Sequence, residues 1–116
     1  MKKPKRYKQY GNDNDLRMLY LEYNRKYFSN RLPKDMPVRF ASTPGDLATT
    51  VIHMQTFRPL FIKISEKLRF SRRLSAGTLL REMVHVKHPE RRGCKNAAFE
   101  KEMMALAKKG AFRGIW

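Results

Sequence analysis

The chain has 116 residues, 41% hydrophobic and 31% charged, a balance that fits one globular domain with a modest core and excludes a disordered polymer. Its 26 Lys and Arg against 10 Asp and Glu give a net charge of +16, which favours polyanionic partners through counterion release from a phosphate backbone. No run approaches the roughly 20 apolar residues of a membrane span, and no apolar stretch follows the basic N-terminus as a secretory signal requires. Cys94 is the single cysteine, so an internal disulfide is excluded and a reducing cytoplasm is the expected setting.

Residues 1–12 read as a basic flexible tail, with Lys2, Lys3, Lys5, Arg6 and Lys8 and no acid among them. Such a segment contacts nucleic acid, with Tyr7 and Tyr10 able to stack on bases, or serves as a solubilising arm. One folded domain is expected over 13–116. Residues 13–30 predict a helix with Asp13 as N-cap, Asp15 in the first turn and Leu16, Leu19, Tyr20, Tyr23 and Tyr27 on one face. Leu32-Pro33 ends it.

Residues 37–64 predict a small sheet. Val38–Ala41, Thr49–Ile52 and Phe61–Ser65 read as three strands, with Pro44-Gly45-Asp46 as a turn. His53, at the end of the second strand, reads as a surface or hydrogen-bonded histidine. Lys67, Arg69, Arg72 and Arg73 follow as a second basic cluster, with Glu66 as its one acid, and read as phosphate-contacting. Residues 75–88 predict a helix capped by Ser75 and stopped by Pro89. After a loop over 89–95, residues 96–109 predict a last helix capped by Asn96. Phe99, Met103, Leu106 and Ala107 form its apolar face, and Gly110 is its C-cap. The apolar end, Ala111 to Trp116, is expected to pack down.

The chemistry is concentrated in Leu79-Leu80-Arg81-Glu82-Met83-Val84-His85. This is one residue from H-E-x-x-H, in which two histidines four apart on one helix face hold Zn²⁺ and the glutamate takes a proton from the bound water. Arg81 occupies the first histidine position and stays protonated, so it cannot ligate. Glu82 and His85 are in place.

These residues resemble the SprT-like zinc metalloprotease domain in its short stand-alone form. Four segments carry the resemblance: Leu19 to Asn24 with Tyr27-Phe28 and Leu32-Pro33; Phe61 to Ser65; Thr78 to His85; and Phe99, Glu102-Met103, Leu106-Ala107 and Gly110-Ala111-Phe112. The resemblance implies an α+β, minimal zincin-like fold with an N-terminal helix, a small three-stranded sheet, a motif helix and a C-terminal helix. It implies a third metal ligand four residues before Phe99, where this chain has Lys95 followed by Asn96. It also implies action on DNA-bound proteins.

With Arg81 and Lys95 at two ligand positions, one histidine cannot hold zinc, and two added cations oppose it further. Glu82 is then expected to pair with Arg81 or Lys95. The leading expectation is a catalytically inactive, nucleic-acid-associated binding module, in the cytoplasm, with no cofactor and no membrane partner. The rival is an active metallopeptidase with a rebuilt zinc site, using His85, His88 and Cys94 as ligands and Glu82 as general base.

Overall fold

In the computed structural model, helix α1 (Asp13–Tyr27) is followed by strands β1 (Val38–Ala41), β2 (Ala48–Ile52) and β3 (Pro59–Ser65). A 3-10 turn (Glu66–Leu68) then leads to helices α2 (Arg72–Lys87) and α3 (Ala97–Lys108). The structure describes residues 13–53, 55–56, 58–87 and 97–112. The expectations for Lys2, Lys3, Lys5, Arg6, Tyr7, Lys8 and Tyr10, for His88, Pro89, Cys94, Lys95 and Asn96, for the side chain of Phe99 and for residues 113–116 lie outside the described residues. Among those described, the architecture is α+β: three helices and one mixed sheet of three strands.

The strand order is β1-β3-β2, with β1 parallel and β2 antiparallel to β3. Alternation along β1 and β3 sends Val38, Phe40, Ile62 and Ile64 to one face, where α1 and α2 cover them. Burying each such side chain contributes about 1.5–3 kcal/mol. Pro44 and Gly45 turn the chain between β1 and β2. The positive φ of 80° at Gly45 suits the third position of a type II turn, closed by Asp46 N–H on the Thr43 carbonyl at 3.0 Å.

The α1 helix buries Leu16, Leu19 and Tyr20 but stops at Tyr27, three residues short of the expected end at 30. Ser29 and Asn30 are left-handed, at φ 54° and 59°, and the Asn30 N–H returns to the Asn24 carbonyl at 2.9 Å. The buried Asn24 side chain then holds both polar groups of Leu32, donating to its carbonyl at 2.9 Å and accepting from its N–H at 3.1 Å. The Tyr20 hydroxyl donates to the Pro33 carbonyl at 2.7 Å. Asp13, expected as the N-cap, lies within the described helix, in its first turn. Its carboxylate accepts from Phe40 N–H at 2.9 Å, fastening the helix start to β1.

The α2 helix begins at Arg72, three residues before the expected start, because Ser71 supplies the cap: its Oγ accepts from Leu74 N–H at 3.1 Å. Ser75, the expected cap, is buried inside the helix and donates to the Leu68 carbonyl at 2.8 Å. The helix is buried on most sides, since it touches the sheet, α1 and α3. In α3, Leu106 is fully buried and Met103 packs against the core, whereas Ala107, expected on the same face, is exposed. Gly110, at φ 84°, is the C-cap, and Ala111 N–H closes on the Leu106 carbonyl at 3.0 Å. Ala111 and Phe112 pack down as expected.

Candidate functional site on the central helix

The α2 helix distributes the motif residues around its circumference. Glu82 faces the sheet and is 7% exposed. His85, three residues on, is half-buried, and Arg81 is exposed. Thr50, in the middle of edge strand β2, reaches across to this helix, and its hydroxyl donates to Glu82 Oε1 at 2.7 Å. Thr50 Oγ1 also lies 3.5 Å from the Glu82 backbone carbonyl, so strand and helix meet closely here.

Burial pushes the Glu82 carboxyl above its ordinary range, and the nearby Asp46 adds to the shift; the Thr50 hydrogen bond and the Arg81 charge oppose it. Burial also pushes the His85 imidazole below its ordinary value, and the Arg81 cation acts in the same direction. In both groups burial penalises the charged form. The expected partner of Glu82 was Arg81 or Lys95. The hydrogen bond that holds it comes from Thr50, and Arg81 acts on it through charge.

The described donors near this helix are too few for zinc. Among the described residues no group of three or more His, Cys, Asp or Glu side chains is placed to hold a metal ion. Of the motif's two ligand positions, one carries an imidazole and the other a guanidinium with no lone pair to give. His88 and Cys94, the proposed substitutes, and Lys95, at the third position, lie outside the described residues.

The second basic cluster divides by role. Arg69 folds back on the protein: its guanidinium carbon is 4.9 Å from the centre of the Phe40 ring, and a guanidinium nitrogen is 3.9 Å from the Asp13 carboxylate. Lys67 is exposed on the 3-10 turn, and Arg72 and Arg73 are exposed in the first turn of α2. That turn has no acid of its own, so two cations sit at the positive end of the helix dipole. Lys87, in the last turn of α2, donates to Glu102 of α3 at 2.9 Å, which gives Glu102 a structural task. His53 Nδ1 accepts from the N–H groups of Gln55 and Thr56, so it is a hydrogen-bonded turn residue.

Thr50 is the site residue that sequence reasoning missed. It reads there only as a β-branched strand former, and its one available signal is the alternation that turns it to the helix side. No helix among the described residues is long and apolar enough to cross a membrane. No protein-family model, no curated protein and no solved structure matches this chain.

Proposed function

We propose that this chain is a SprT-like, zincin-like domain that has lost its metal and works as a catalytically inactive module on nucleic acid, DNA first, or on proteins bound to it. The observation that carries this reading is the state of Glu82. A general base needs a water to deprotonate. This carboxylate is buried and held by the Thr50 hydroxyl, while Arg81 stands where a ligand is needed.

The order of elements supports the domain reading: helix, small sheet, motif helix packed on the sheet, last helix. The charge of +16 and the exposed Lys67, Arg72 and Arg73 support the nucleic-acid reading. In this role the glutamate and histidine are structural remnants, and the working surface is the basic one.

The test combines metal content with binding. Elemental mass spectrometry on untagged protein expressed with zinc is expected to find no stoichiometric metal in a folded chain. Titration against labelled DNA is expected to show an affinity that falls steeply with salt, by about a thousandfold from 50 to 200 mM if six phosphates are neutralised. One tight zinc per chain, with peptide cleavage abolished by Glu82→Gln, would overturn the inactive reading. A flat salt response would assign the charge to solubility alone.

A further inference from the structure

The sheet has a second face, turned away from α1 and α2. Since Val38, Phe40, Ile62 and Ile64 point into the core, alternation turns Arg39, Phe61 and Lys63 outward. Arg39 lies directly opposite Lys63 in the parallel ladder, and Thr49 and Val51 of β2 are the partners of Lys63 and Phe61. The Arg39 guanidinium carbon is 5.5 Å from the centre of the Phe61 ring, and Lys63 Nζ is 5.6 Å from it. Two cations thus lie over one aromatic ring on an outward sheet face.

Like charges opposite one another on neighbouring strands repel. Among the described residues neither Arg39 nor Lys63 has a carboxylate partner. An anion seated between them relieves the repulsion, and a π-face beside that anion adds stacking. A nucleotide carries both an anion and a π-face. An acidic peptide would neutralise the cations but leave the ring idle. A duplex keeps its bases stacked on each other, whereas a single strand frees them for an aromatic side chain.

We propose that this outer sheet face is a stacking platform for single-stranded nucleic acid, with a base on Phe61 and the adjoining phosphates on Arg39 and Lys63. The proposal rests on the nucleic-acid reading above and gives it a place and a strand preference. It is separate from the tail, whose Tyr7 and Tyr10 are a second source of stacking, and from the 67–73 cluster, which would add charge alone.

The test is fluorescence anisotropy with a labelled oligodeoxythymidine and, in parallel, a duplex of the same length. Phe61→Leu keeps apolar bulk and removes the π-face. It is expected to weaken single-strand binding by about five- to 150-fold, the effect of losing one stacked base, with little change for the duplex. Phe61→Trp, which keeps the stacking surface, is expected to bind the single strand within about twofold of the parent. Arg39→Ala with Lys63→Ala is expected to make the salt dependence shallower. If the parent binds but Phe61→Leu binds equally well, the platform is wrong and the nucleic-acid reading survives. If the parent binds neither strand form, both fall. If polyglutamate competes as effectively as the oligonucleotide, the face recognises charge alone and the platform is overturned.

Discussion

The Thr50 hydroxyl donates a 2.7 Å hydrogen bond to the Glu82 carboxylate from 32 residues away, joining the edge strand to the centre of the motif helix. The acceptor is buried and its pKa is raised, so removing the donor leaves a desolvated carboxyl without this compensation. Thr50→Val, nearly isosteric, is expected to destabilise the fold by about 1–3 kcal/mol in urea denaturation. In a Glu82→Gln background, where the acceptor is neutral, the same change should cost less. Equal costs in the two backgrounds would show that the carboxylate charge is irrelevant to the contact.

The pH dependence has two opposed parts. Glu82 holds its proton more tightly in the fold than its ordinary value of 4.5 implies. The native state therefore binds more protons, and stability falls as pH rises from 4.5 through the folded value. For His85 the folded value lies below the ordinary 6.5. The unfolded chain then binds more protons, and stability falls as pH drops below 6.5 through the folded value. Glu82→Gln is expected to gain on the parent as pH rises above 4.5, and His85→Gln to flatten the acid side below 6.5. Denaturation midpoints across this range check both signs.

Asn24 completes the α1 terminus by serving the N–H and carbonyl of Leu32 at once. Asn24→Ala strands both buried groups and is expected to cost about 2–6 kcal/mol, since each unpaired group costs about 1–3 kcal/mol. Asn24→Asp keeps the acceptor but sets a buried carboxylate oxygen against the Leu32 carbonyl, and should cost at least as much. Melting temperature ranks the three.

The metal site offers a gain-of-function test. Arg81→His restores H-E-x-x-H but supplies only two imidazoles, and a catalytic zinc needs three protein ligands. Arg81→His with Lys95→His supplies the third. Zinc is expected in the double variant, about one per chain, and not in the single one. A double variant that folds and stays metal-free would count against the zincin-like reading.

Much of the fold was legible because periodicity is local. Leu16, Leu19 and Tyr20 share a helical face, and Phe61 to Ser65 alternate, without reference to the rest of the chain. The misjudged boundaries come from competition between similar signals. Ser71 and Ser75 can each cap a helix, and only the Leu68 carbonyl, reached by the Ser75 hydroxyl, decides between them. The left-handed pair Ser29-Asn30 ends α1 early through a return bond to Asn24 that no propensity announces. Glu82 was legible as a site residue, but Thr50 was not, because that contact depends on how the strand is laid against the helix. The exposure of Ala107 shows how little an alanine tells about which side of a helix it occupies.

The strand order also governs assembly. Because β3 lies between its two neighbours, β1 and β2 share no hydrogen bonds and depend on a strand that comes last in sequence. The β2–β3 pair closes locally as a hairpin, whereas the β1–β3 pair, joining Val38 to Ile62, closes a longer loop and carries the greater entropic cost. A nascent chain that has emerged only as far as Ile52 lacks the strand that both native pairings need, and its first helix has β1 alone to dock on. Until β3 arrives, the hydrophobic sides of α1 and β1 are open to whatever else is in solution.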